Sequence, residues 1–248
     1  MLKYALYIKL LLLCYFFNYA QSSVGQIDYK IKLYPTENNK QKSELEDLIT
    51  EEVNNIELEL IFNKNKSLFK VKEVMEIDNK TKYLRKMANL LTGIKGNFFV
   101  DLEKDLIINE KDFGGINYLI TDKHSKFDWE LTKETKIIDG YICFKAKTIN
   151  TYPSSSGYTN LKVSAWYAPE IPVAFGPKNY GGLPGLILEL HEGNIGEGRT
   201  YFATKTNFYS SLNTEDIVLP DEGEKITLDE FYRIASKAFF KLQDNVKN

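Results

Sequence analysis

Apolar and polar residues alternate along Ile27-Asp28-Tyr29-Lys30-Ile31-Lys32-Leu33, a period of two that predicts a strand with one buried face. The pattern returns at Ile56, Leu58, Leu60 and Phe62; the polar Asn63-Lys64-Asn65-Lys66 then predicts a turn, with Leu68 to Ile77 as the antiparallel return. From Asn97 onward short apolar runs follow one another, at Phe98 to Leu102, Leu106 to Ile108, Asn117 to Ile120, Phe127 to Leu131 and Ile142 to Ile149. Leu161 to Tyr167, Leu186 to His191 and Thr200 to Phe208 complete the set. Asp139-Gly140 is the strongest hairpin signal, because Asp-Gly supplies the positive φ that a two-residue turn needs. Thr151 to Asn160 predicts a Ser-rich turn, and His191 to Gly198 a flexible hairpin tip.

Helical spacing occurs in three places. Leu45, Leu48, Ile49 and Val53 predict a short surface helix over Ser43 to Asn55, and Tyr83, Met87, Leu90 and Leu91 favour one or two turns over Lys82 to Leu91. At the C-terminus Thr227-Leu228-Asp229-Glu230 fits a capping box. Phe231, Ile234, Ala235, Ala238, Phe239 and Leu242 then make a stripe that must dock on something. Short strands with one terminal helix predict a mainly β, β-rich α+β architecture. The expected form is a single antiparallel, strongly curved sheet or open half-barrel with the C-terminal helix packed on it. No internal repeat or composition break divides residues 21–248, so one domain is expected.

Composition sharpens this picture. Lys3 and Lys9, the apolar run Leu10 to Phe17 and Ala20 predict a secretory signal over residues 1–20. That run falls short of the about 20 apolar residues of a membrane span, so the mature chain is expected to be exported, periplasmic or outer-membrane associated, with no transmembrane helix. The formal charge of −2 becomes −4 when Lys3 and Lys9 leave with the signal, which gives no support to a nucleic-acid partner. Cys143 is then the one remaining cysteine, so an intrachain disulfide is excluded. Two distant histidines, His124 and His191, make no zinc motif, and neither metal nor cofactor is expected.

The densest signal is the segment between two of the expected strands. Trp166-Tyr167-Ala168-Pro169-Glu170-Ile171-Pro172 and Phe175-Gly176-Pro177 lead into Tyr180-Gly181-Gly182-Leu183-Pro184-Gly185-Leu186-Ile187-Leu188-Glu189-Leu190. This resembles the GLPGLI family of exported Bacteroidetes proteins, named for Gly182 to Ile187 (Gly182, Leu183, Pro184, Gly185, Leu186, Ile187). Trp129 to Lys136 with Gly140 to Cys143 resembles the family's second common block. The resemblance implies an envelope location and no established activity, so it brings no catalytic residue to this chain. By analogy the expected fold looks like the lipoprotein-carrier type of periplasmic half-barrel.

Two readings of the loop are open. In one, a type II turn over Leu183 to Leu186 locks a strand crossover, and Leu183, Leu186 and Leu188 anchor it in the core. In the other, the stiff Pro169–Gly185 loop holds Ile171, Val173 and Phe175 exposed, for a pocket or a partner, at little entropic cost on binding. The candidate ligand- or partner-binding residues are then Trp166, Tyr167, Ile171, Phe175, Tyr180 and Leu183. Trp129, Trp166, Tyr141, Tyr167 and Tyr180 form either an aromatic wall or core. Cys143 is read as buried filler, and would need His124 or His191 beside it to act as a nucleophile. Glu170, Glu189 and Glu192 could supply an acid–base pair. The leading expectation is a non-enzymatic module for an apolar ligand, a peptide or an envelope protein. The alternatives are a hydrolase using carboxylates near the loop, or a structural partner of an outer-membrane assembly.

Overall fold

The computed structural model describes residues 24–34, 43–72, 78–154, 157–194, 196–209 and 217–247, the side chains to residue 238. The expected signal at 1–20, the end of the return strand at 73–77, positions 155–156 of the Ser-rich turn and the side chains of Phe239 and Leu242 lie outside the described residues.

The strands are β1 Gly25–Tyr34, β2 Glu57–Phe62, β3 Lys66–Val71, β4 Asn97–Asp101, β5 Leu106–Phe113, β6 Ile116–Asp122, β7 Glu130–Ile138, β8 Tyr141–Ser154, β9 Gly157–Ala168, β10 Leu186–Glu192, β11 Gly198–Phe208 and β12 Glu224–Ile226. The helices are α1 Glu44–Asn55, α2 Asn79–Thr92 and α3 Leu228–Lys247. All twelve strands join one open sheet in the order β12-β6-β5-β4-β3-β2-β1-β11-β10-β9-β8-β7. Neighbours run antiparallel except β12 on β6, which is parallel, so the sheet is mixed where an antiparallel one was expected. The parallel pair arises because the chain returns from β11 to the far edge and lays Glu224–Ile226 beside Tyr118–Ile120 just before α3 begins.

The period-two segments behave as their pattern requires. Ile27, Tyr29 and Ile31 of β1 meet Leu58, Leu60 and Phe62 of β2 in one buried cluster, which continues through Phe69, Phe98, Val100 and Ile107. Burying each such side chain contributes about 1.5–3 kcal/mol relative to leaving it in water. On the opposite face of the same strands Leu68, Phe99, Ile108 and Leu119 pack with Ile217. The β7–β8 hairpin turns at Asp139 and Gly140, whose φ values of 48° and 82° are the positive pair expected of Asp-Gly. The Ser-rich segment predicted as a turn is mostly strand, with β8 running to Ser154 and β9 starting at Gly157.

Two helices carry capping boxes, of which the one ahead of α3 was expected. Ser43 and Glu46 form a capping box on α1, as do Thr227 and Glu230 ahead of α3. Phe231 docks edge-on against Phe113 and Tyr118, and α3 touches both β6 and β8. The α2 stripe needs correction. Tyr83, Leu90 and Leu91 are exposed, whereas Leu84, Ala88 and Thr92 face inward. The small Ala88 lets the helix sit close to the core, and Arg85 pairs with Glu52 of α1 from the same side. The expected helix is present and longer than one or two turns, and of its four marker residues Met87 packs against the core.

Candidate functional site

The loop between β9 and β10, residues 169–185, contributes five side chains to the main buried cluster. Ile171, Phe175, Tyr180 and Leu183 are only 1–2% exposed, and Val173 is buried with them. Of the two readings of the loop, the one that holds Ile171, Val173 and Phe175 exposed is overturned, and the burial of Leu183, Leu186 and Leu188 fits the other. Backbone bonds stitch the loop to itself and to β10: Gly182 N donates to Ala174 O (3.0 Å), Leu186 N to Ile171 O (3.0 Å) and Ile187 N to Phe175 O (2.9 Å). With these amides satisfied internally, the apolar side chains are free to face the core, where Phe175 lies 6.2 Å from Phe62. The corner also differs from the expected type II turn. Gly185 N donates to Leu183 O (2.8 Å), a three-residue turn about Pro184. Gly185 abuts the Ala168 carbonyl so closely that a Cβ would overlap it.

The five aromatics do not make one wall. Trp129 Nε1 donates to Gly181 O (2.8 Å), and Phe127 stacks on Tyr180 at 4.8 Å, so those rings clamp the loop. Trp166 and Tyr167 are adjacent on β9 and project to opposite faces. Tyr167 is buried and lies 6.2 Å from Phe144. Trp166 is partly buried beneath two ammonium groups, Lys136 at 4.5 Å and Lys145 at 5.4 Å. Of the six signature residues, Leu183, Gly185, Leu186 and Ile187 are buried, while Gly182 and Pro184 are exposed.

Two of the three carboxylates separate. Glu189 and Glu192 stand three apart on β10 and face opposite ways; Glu189 pairs with Lys136 at 2.7 Å, and Glu170 is exposed. Cys143 is fully buried, and its Sγ lies 3.6 Å from the Tyr141 carbonyl oxygen. Burial pushes its thiol up to about 11, far from a reactive thiolate. His191 engages Thr200 and Asn194 O, both at 2.9 Å. His124 is buried against Gly181 and Ala174. Among the described residues no group of three or more His, Cys, Asp or Glu could hold a metal.

What the structure does assemble is a buried charge network that the sequence only hinted at through Glu192. Its carboxylate is 2% exposed. It accepts from Lys178 Nζ (3.0 and 3.2 Å), Arg199 Nε (2.6 Å), Tyr180 OH (2.8 Å) and Tyr201 OH (3.4 Å). Burial alone would raise the Glu192 pKa, but the Lys178 and Arg199 charges outweigh it and hold the carboxyl at about 2. Burial raises both tyrosines well above their ordinary value. The network is tied outward by Tyr201 OH to Thr92 O (2.9 Å) and Arg199 Nη1 to Leu91 O (2.8 Å), and by Asn150 Nδ2 to Tyr180 OH (2.9 Å). The strand over Thr200 to Phe208 was expected, but nothing local brings Lys178 and Arg199 to one carboxylate.

A family model described as a protein of unknown function (Porph_ging) matches residues 156–189, the stretch that holds β9, the buried loop and the start of β10. A search of curated proteins found no match. Two solved structures of PNGF-II, in C2 and P21 crystals, are similar in fold, each with a TM-score of 0.52 at 17% and 16% identity. They align with 86% and 87% of this chain. The chain spans about a third of the PNGF-II length, 32% and 33% in the two structures, and at this identity the likeness is one of fold.

Proposed function

We propose that this chain is an exported, cell-envelope binding module without a catalytic set, and that it takes an extended peptide segment of an envelope partner along β7. The carrying observation is that β7 ends the sheet order with β8 as its single neighbour. Ile137 on β7 and its cross-strand partner Ile142 are 73% and 52% exposed. A nine-residue edge offers main-chain donors and acceptors for strand addition, and the isoleucine pair offers an apolar seat beside it. The opposite edge, β12, has three residues and leads directly into α3, which makes it the poorer template. The buried loop takes the part of the first reading, a rigid crossover that holds the sheet. The hydrolase alternative has less behind it, since Glu189 and Glu192 pair with different lysines and the Cys143 thiol lies against the Tyr141 carbonyl. In PNGF-II a similar fold occupies about a third of a longer chain, which supports a role beside other protein. Among the described residues no helix is long and apolar enough to cross a membrane. The secretory pattern of residues 1–20 supports export.

The test places a photo-cross-linking residue at Thr135 on β7 and, as control, at Lys205 on β11, in the native host envelope. One discrete adduct from position 135, lost on Ile137→Lys at unchanged melting temperature, is expected. Equal capture from both positions, or capture that Ile137→Lys leaves intact, refutes the proposal.

A further inference from the structure

Helix α2 carries two apolar faces, and the core takes up only one of them. Leu84 and Ala88 are buried and Met87 packs beside them, whereas Tyr83, Leu90 and Leu91 are 53%, 68% and 56% exposed. Positions 83, 87 and 90 follow at spacings of four and three, so these side chains lie along one line of the helix surface. Leu91, four after Met87, widens that line into a strip. Large side chains held in water add nothing to the core, and exposed apolar surface gathered in one place marks an interaction site.

Charge sorts the surroundings of the strip. Asn79–Thr92 carries Lys80, Lys82, Arg85 and Lys86 and no acidic residue, in a chain whose formal charge is −2. Lys80 and Lys86 are exposed and stand three residues before and three after Tyr83, with Lys86 also four before Leu90, so both border the strip. The neighbouring helix α1 is acidic, with Glu44, Glu46, Asp47, Glu51 and Glu52, but it lies across α2 from the strip. Arg85, two residues from both Tyr83 and Met87, points to the other side of the helix and meets Glu52 there. The Asp78 carboxylate is turned to the Thr81 amide and hydroxyl as the N-cap.

We propose that the exposed face of α2 docks on an anionic bilayer surface. Tyr83, Leu90 and Leu91 enter the head-group boundary, and Lys80 and Lys86 meet lipid phosphates. A helix lying in the plane of a membrane needs this combination, an apolar strip bordered by cations. A second copy of the chain fits less well, because an isologous contact sets the same patch against itself and brings the lysines of both strips together. This inference goes beyond the strand-addition reading, because it concerns another element and another class of partner.

The experiment is co-sedimentation of the full mature chain with vesicles of phosphatidylglycerol and phosphatidylcholine in equal parts, and with vesicles of phosphatidylcholine alone. Binding to the anionic vesicles is expected, about tenfold or more weaker to phosphatidylcholine alone and weakened by salt. Leu90→Gln with Leu91→Gln should weaken it about tenfold or more, and Lys80→Gln with Lys86→Gln about fivefold for each charge. Both pairs should keep the parent's melting temperature, because all four side chains are exposed; the lysine pair decides the matter if the leucine pair does not fold. Leu45→Gln, at a leucine of α1 that is 48% exposed, should leave binding as it is. Failure to bind the anionic vesicles, equal binding to both kinds of vesicle, binding that either pair leaves intact, or equal loss on Leu45→Gln overturns the proposal. A dimer that the leucine pair abolishes, without vesicle binding, overturns it in favour of a second copy. None of these results bears on capture at β7, so the two ideas fail separately.

Discussion

Replacing Glu192 by Gln removes one charge and almost no volume, which makes it the sharpest probe of the buried network. Two independent routes give its size. The carboxyl is held at about 2 by Lys178 and Arg199 against the opposing effect of burial. The gap from an unfolded glutamate near 4.3, at 1.36 kcal/mol per tenfold, corresponds to about 3 kcal/mol at neutral pH. Removing one member of a buried pair costs about 3–5 kcal/mol, because the remaining charge stays desolvated. The Lys178 and Arg199 side chains keep 13% and 25% of their exposure, so water recovers part of that cost and the lower end applies. Both routes converge on about 3 kcal/mol. Urea unfolding at pH 7 should show this loss for Glu192→Gln. The folded-state pKa is depressed, so the contribution is complete above the unfolded value and vanishes as pH falls through about 4.3 to about 2. The gap between variant and parent should therefore close over that window. A loss below about 1 kcal/mol at pH 7, or a gap that is the same at every pH, would refute the argument.

Three further outcomes follow from the same structure. Phe175→Ser should destabilise by about 3–4 kcal/mol in thermal or urea unfolding, because Phe175 is core; a variant with unchanged melting temperature would return the loop to the surface. His124 is buried and burial depresses its pKa, so stability should fall as pH drops below the ordinary histidine value near 6.5. His124→Gln should flatten that part of the profile, and an unaltered slope counts against the assignment. Gly185→Ala must push a methyl into the Ala168 carbonyl, and a melting temperature equal to the parent's would show that the corner can relax.

The comparison of pattern with structure is instructive at particular residues. Alternation placed Ile27, Tyr29 and Ile31 with Ile56, Leu58, Leu60 and Phe62 on one buried face, because a strand offers two faces; Ile61 took the other. Asp139-Gly140 identified its hairpin for an equally local reason, the φ each residue tolerates. On α2 periodicity marked the helix, but of Tyr83, Met87, Leu90 and Leu91 only Met87 packs on the core, beside the small Ala88. At the loop the pattern left two readings open. Prolines and glycines announced a rigid segment but carried no information on which way Ile171 and Phe175 would point.

Local chain chemistry thus determined the strands, the caps, the turn residues and the mainly β character, since each depends on neighbours a few positions away. Tertiary structure alone decided that the loop fills the core, that Glu189 and Glu192 part company, and that Lys178, Arg199, Tyr180 and Tyr201 share one carboxylate. Those facts depend on which strands lie side by side, and pairing across more than a hundred residues, as in Tyr29 to Ile187, leaves no mark on the local pattern.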